Sequence, residues 1–208
     1  MSHATEVLLK ERAAMCDTFE KYGADAPTLC EGWDTLDLAA HLVAREARSD
    51  AAAGLVIPFL ANHLQKVMDQ YKTKGYEPLV AMLRTGPPLM HRTGPLATAN
   101  VNENFVHHED VRRANGEAPR PDDPEISGIL WKMLGFGTGK KTLPGVALTL
   151  RTPTGTEKAV TKDGAPVAMV GEVGELALYL NGRKGAAVVT FEGDDDAVAV
   201  VKNAKFGV

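Results

Sequence analysis

The chain has 208 residues, 44% hydrophobic and 24% charged, enough apolar material for one or two domains with real cores. A net charge of −4 supplies no long-range pull toward nucleic acid or anionic lipid, and 6% aromatic content argues against stacking platforms for single strands. No run approaches the roughly 20 apolar residues that span a bilayer, and the charged start MSHATEVLLKERAAM lacks the apolar run and cleavage site of a signal peptide, so the expected location is the cytoplasm.

The first 140 residues read as helices. One is expected over 4–22, with Leu8, Met15, Phe19 and Tyr22 at heptad-like spacing and Gly23 closing it. Cys16 and Cys30 lack CxxC spacing and are too few for a disulfide framework, so both are expected to be buried small hydrophobes. A second helix is expected from Thr35 to about Ala53: Asp34 can cap it, Asp37 stands three residues later as in a capping box, and Trp33 can staple onto Leu38. After Gly54 and Pro58 follow a helical piece, FLANHLQKVMDQYK, and a helix over 76–84 ended by RTGPP. The next helix is expected from Thr98, as cap, to Ala114, with Arg112 and Arg113 at its C-terminal end and Gly116 beyond it. After the proline-rich loop APRPDDPE, a helix over 123–135 completes the helical part, and GFGTGKK reads as a linker.

From Pro144 the period changes. VALTLRT alternates as a strand, EKAVTKDG and PVAMVG read as two more, GEVGELALYL as an amphipathic helix, AAVVTFEG as a last strand and DDDAVAVVKNA as a capped helix. The expected fold class is therefore α+β, with a helical domain over 1–140 and a small α/β domain over 141–208.

The helix TANVNENFVHHEDVRRANG carries the unusual pattern. Steps of three and four return to one face, and there the chain places Asn100, Glu103, His107, Asp110 and Ala114 where a bundle helix would be apolar. Such a stripe faces either solvent or an internal polar site. Glu103 and His107, four apart, can reach one point, as metal ligands on a helix must. His107 and His108 project about 100° apart and are not expected to share an ion. His41, among Leu38, Leu42 and Val43, reads either as a core histidine or as the third ligand. Three ligands would leave a position open, as catalytic metal sites do. Asp37, Glu46, His108 and Asp110 are possible outer partners for the imidazoles, each with a plainer reading: Asp37 in the capping box, Glu46 paired with arginines, His108 at the surface. His3, His63 and His91 show no partner pattern. No GxSxG elbow, GxxxxGK[ST] loop or GxGxxG after a strand is present.

These residues carry a resemblance. LCEGWDTLDLAAHLVARE resembles the histidine-bearing segment of the DinB-like metalloproteins, in the branch similar to mycothiol-dependent maleylpyruvate isomerase. NENFVHHEDVRRANG is similar to that branch's second signature, a Glu–x3–His on a later helix, and GELALYLNGRKGAAVVTFEGDDDAVAV resembles its C-terminal domain, with Arg183 in the place of an Arg of a GR pair. The resemblance implies a four-helix bundle holding a divalent metal, usually zinc, with nickel or another ion as alternatives, through His41, Glu103 and His107. It further implies a low-molecular-weight thiol such as mycothiol as cosubstrate and a small electrophile as its acceptor. Addition, bond rotation and elimination would make an isomerase; addition alone, an S-transferase. RTGPP and FVHHEDVRRA place the resemblance nearer a sub-branch without an assigned substrate than the isomerase proper, so the substrate does not carry over. Arg183 is expected either to steady a substrate carboxylate or to form an ion pair.

Two other functions compete with a thiol-dependent transferase or isomerase. One is a metal hydrolase in which Glu109, Asp110 or Glu46 is the base toward water; the other is a non-catalytic metal or small-ligand binder. No nucleic-acid or membrane partner is expected, and the chain is expected to be a monomer or homodimer.

Overall fold

The computed structural model describes residues 2–48, 61–86, 93–136 and 142–207. The chain divides into two compact units, residues 1–119 and 120–208.

The described helices of the first unit are α1 (His3–Tyr22), α2 (Thr35–Ala47), α3 (Ala61–Lys72), α4 (Tyr76–Thr85) and α5 (Gly94–Ala114). Ser2 caps α1 through the backbone N–H of Thr5. Asp34 and Asp37 form the expected capping box at the start of α2, Asp37 N–H donating to Asp34 Oδ1 at 2.8 Å. Helix α2 ends at Ala47, with Arg48 as its C-cap, short of the end expected near Ala53. His91, most of the GFGTGKK linker and the prolines of RTGPP fall outside the described residues. The start of α5 also differs from expectation. Helix α5 begins at Gly94, and its N-cap, Thr93, lies five residues before the expected cap at Thr98. Gly94 and Pro95 stand ahead of the expected start but open the helix, because proline at the first positions of a helix loses only an N–H that has no intrahelical acceptor there, and its φ is already helical.

The helices pack α1 on α5 and α4, and α2 on α3 and α4. Their shared core joins Met15, Cys16 and Phe19 of α1, Leu38, Leu42 and Val43 of α2, Leu64, Val67 and Met68 of α3, Leu79, Val80 and Leu83 of α4, and Val111 of α5. Removing each such side chain from water contributes roughly 1.5–3 kcal/mol. Buried polar pairs cross this core. Arg12 of α1 forms a double-pronged ion pair with Glu46 of α2 and donates to the Leu83 carbonyl at 3.1 Å, so one guanidinium ties three helices.

The second unit contains α6 (Pro124–Met133), β1 (Val146–Arg151), β2 (Glu157–Ala159), β3 (Ala165–Val170), α7 (Val173–Leu180), β4 (Thr190–Gly193) and α8 (Asp195–Asn203). The sheet order is β2-β1-β3-β4, with β1 and β3 parallel and both outer pairs antiparallel. The alternation read in VALTLR is the burial pattern of β1: Val146, Leu148 and Leu150 point inward. Helix α8 packs on β1, β3 and β4, and α6 packs on α7. That last contact sets the boundary of the unit before α6, whereas the change of period suggested a division at 140/141. The molecule is thus α+β, and among the described residues no helix is long and apolar enough to cross a membrane.

Candidate metal centre

The polar stripe of α5 faces inward. Asn100, Asn104, His107, His108, Glu109 and Asp110 are all buried, and Glu103 is about a quarter exposed. A face this polar persists inside a helical unit only where its groups are partnered or hold something.

His41 of α2 comes to meet it. Its Nε2 lies 3.7 Å from Glu103 Oε1, and His107 Nε2 lies 3.2 Å from the same oxygen. The two imidazole rings stand edge to face with centroids 5.4 Å apart. Ligand atoms of all three residues fall within 4.8 Å of one another. Donors about 2.0–2.2 Å from a tetrahedral ion stand roughly 3.3–3.6 Å apart, so the two observed separations bracket what a bound zinc would need. The donor set, two imidazoles and one carboxylate, suits zinc and similar divalent ions.

The electrostatics of His41 and Glu103 agree with that use, whereas His107 must give up a proton before it can offer a lone pair. Burial lowers the His41 pKa, outweighing the hydrogen bond to Glu103, and keeps the ring neutral with a lone pair to offer. For Glu103, burial works upward, but hydrogen bonds from His107 and His41 and the charge of Arg45 overcome it and hold the carboxyl well below its usual range. Burial likewise opposes charge on His107, yet hydrogen bonds to Asp110, Cys30 and Glu103 raise its pKa well above the ordinary value. His41 Nδ1 is buried with no hydrogen-bond partner among the described residues, so what the ring exchanges passes through Nε2.

Behind the donors stand residues of different legibility. Asp110, fully buried, takes the Nδ1 side of His107 at 2.8 Å, a contact that fits one of the two readings open for it. Asp37 and Glu46 are engaged elsewhere, Asp37 in the capping box and with Lys72 at 2.7 Å, Glu46 with Arg12. His108, foreseen at the surface, is instead buried, its Nδ1 2.9 Å from Glu11 and its Nε2 2.8 Å from Thr18, both on α1. Glu109 is clamped by Arg112 and Arg113, each at 2.6 Å.

Three residues at the site were not read from the sequence as belonging to it. Arg45, one turn beyond His41, brings Nε to 3.3 Å from Glu103 Oε1 and donates through Nη1 to Asn100 Oδ1 at 2.7 Å. Its i+4 spacing from His41 was the available signal. Trp33 lays its ring 5.0 Å from that of His41. Cys30 is corrected from buried hydrophobe to site residue: it is only partly buried, with Sγ 3.2 Å from Asp110 Oδ2 and 3.9 Å from His107 Nδ1. Cys16 does behave as the expected hydrophobe, its thiol pushed up to about 11 by burial. Arg183 lies in the turn after α7 of the second unit, where its Nη1 donates to the Asn181 carbonyl at 2.6 Å.

No protein-family model matches the chain, and no curated protein matches it in sequence. Two solved structures do resemble it. The crystal structure of the mycothiol-dependent maleylpyruvate isomerase superposes with a TM-score of 0.61 at 19% identity, covering 92% of this chain and 93% of that one. A histidine-to-alanine mutant of the same isomerase gives 0.58 at 18% identity with the same coverage. At that level of identity the likeness establishes a shared fold.

Proposed function

We propose that the protein is a divalent-metal enzyme, with zinc as the ion, that uses a low-molecular-weight thiol such as mycothiol to transfer onto or isomerise a small electrophile. The first unit is then read as a DinB-like four-helix bundle, and His41, Glu103 and His107 hold the metal. The observation that carries this reading is the convergence of those three donors on one point from two helices, in a fold shared with a mycothiol-dependent isomerase.

The ion, when bound, supplies a charge that lowers the pKa of a coordinated thiol and keeps it nucleophilic near neutral pH. The chain's own residues do the rest. His41 offers a neutral imidazole because its surroundings exclude water. Glu103 contributes a negative charge whose basicity is restrained by Arg45. Asp110 holds Nδ1 of His107 and so aims Nε2 at the Glu103 side. Arg183, whose guanidinium is suited to a carboxylate, is the residue we assign to substrate binding in the second unit.

The thiol reading is favoured over hydrolysis by the fate of the three carboxylates that could serve as a base toward water. Glu46 and Glu109 are ion-paired to arginines, and Asp110 stands on the Nδ1 side of His107, turned from the donor atoms. The test is zinc analysis of the purified protein followed by a thiol panel, with maleylpyruvate and a chlorinated aromatic as acceptors. The expected result is turnover that requires both zinc and mycothiol. Turnover that persists without any thiol overturns the proposal in favour of a hydrolase, and zinc-tight protein inert to every thiol overturns it in favour of a binding protein.

A further inference from the structure

Between α1 and α2, residues 24–34 form a turn that closes on itself and is fastened to α5. Pro27 and Asp34 bridge its two ends, Thr28 Oγ1 donates to the Trp33 carbonyl at 2.8 Å, and Thr28 Oγ1 also accepts from Cys30 N–H at 3.1 Å. Leu29 N–H donates to the Asp110 carbonyl at 3.1 Å, and Asn115 Nδ2 to that of Pro27, also at 3.1 Å. The turn is thus registered against the very residue that orients His107.

From that platform the Cys30 thiol reaches Asp110 Oδ2, the same oxygen that holds His107 Nδ1. Trp33, three residues on, lies against the ring of His41. One short turn therefore touches the supports of both histidines.

We propose that Cys30 is a positioning residue of the metal centre: its S–H donates to Asp110 Oδ2 and fixes the carboxylate that in turn aims His107. This rests on the assignment of His41, Glu103 and His107 as ligands. Cys30 is not itself a ligand of that ion, because the atom of His107 it approaches is Nδ1, while Nε2 is the atom turned to Glu103. A thiol suits the place. It gives the carboxylate a second donor without adding a charge beside Asp110, and it is small enough to fit a turn this tightly bonded.

The test is zinc affinity, read by competition with a chromogenic chelator, in the full-length protein and its variants Cys30→Ala, Cys30→Ser, Asp110→Asn and Cys30→Ala/Asp110→Asn. Cys30→Ala is expected to weaken zinc roughly three- to tenfold, less than the roughly 10–100-fold typical of a direct outer partner such as Asp110. Cys30→Ser, whose hydroxyl can still donate, is expected to recover most of the loss. The double variant is expected to bind no more weakly than Asp110→Asn alone, a non-additivity that a merely structural cysteine would not produce. Additive losses, equal losses in the serine and alanine variants, or no change in Cys30→Ala would each overturn the proposal. X-ray absorption of the zinc protein without added thiol is expected to show nitrogen and oxygen neighbours; a zinc–sulfur shell that disappears in Cys30→Ala makes Cys30 a ligand and also overturns it. Failure of the parent protein to bind one zinc per chain overturns this inference and the metal assignment together, whereas tight binding that ignores Cys30 removes this inference alone.

Discussion

His107 and His108 are neighbours on one helix, both are buried, and each meets a carboxylate within 3 Å, yet they belong to different kinds of region. His108 faces α1 and is closed at both nitrogens, by Glu11 and Thr18. His107 is held at Nδ1 by Asp110 and turns Nε2 toward Glu103, with His41 beyond. Burial and a carboxylate partner are common to the two, so neither marks a ligand. What distinguishes them is whether the second nitrogen meets a terminal partner or a cluster of further donors. The first arrangement cross-links two helices; the second leaves a place where an ion can be held.

This contrast can be broken most directly at the donors. His107→Ala, Glu103→Ala or His41→Ala is expected to lower zinc affinity by at least about 100-fold, beyond the loss of an outer partner, while the far-UV helical signal survives. Elemental analysis and circular dichroism of the purified variants check it, and one zinc per chain in all three would dissolve the distinction drawn here. Next in size is Asp110→Asn, expected to weaken zinc roughly 10–100-fold because the amide no longer offers the charge that sets the imidazole.

His108→Ala sharpens the comparison from the other side. Zinc affinity should stay within about twofold, while urea unfolding should show a loss of about 1–3 kcal/mol, since Glu11 and Thr18 lose their buried partner. A large zinc loss there would mean that the two histidines had been assigned the wrong way round.

The smallest effect lies outside both regions. Glu117 accepts from Lys21 and Tyr22 and sits near Arg112, and these contacts hold its carboxyl down from an ordinary value of 4.5 to about 2. A carboxyl depressed in the folded state stabilises it above the unfolded value and ceases to do so as protonation sets in. Glu117→Gln is therefore expected to lower the melting temperature slightly at pH 7 and to flatten its decline between pH 4.5 and pH 2. Parallel melting curves for the two proteins across that window would show the contacts to be without consequence.

How much of this was legible beforehand varies with the range of the interaction involved. The capping box at Asp34, the alternation of β1 and the i+4 pair of Glu103 and His107 were readable because each is set within a turn or two of chain. The start of α5 was misplaced because Gly94–Pro95 signals a break and a helix start in the same letters. The boundary between the units was displaced because α6 has an ordinary helical pattern, and its packing partner α7 lies some forty residues later.

By itself the chain determined its periodicities, its caps and the presence of a polar stripe on a helix that should have been apolar, because these depend on the spacing of neighbours along a regular backbone. Only the tertiary structure decided that the stripe faces inward, that His41 approaches Glu103 and His107 while His108 turns to α1, and that Cys30, read as a core hydrophobe, stands beside Asp110. Those outcomes depend on which helices cross and at what rotation, and a turn of about 100° between adjacent residues is all that separates a candidate donor from a cross-link.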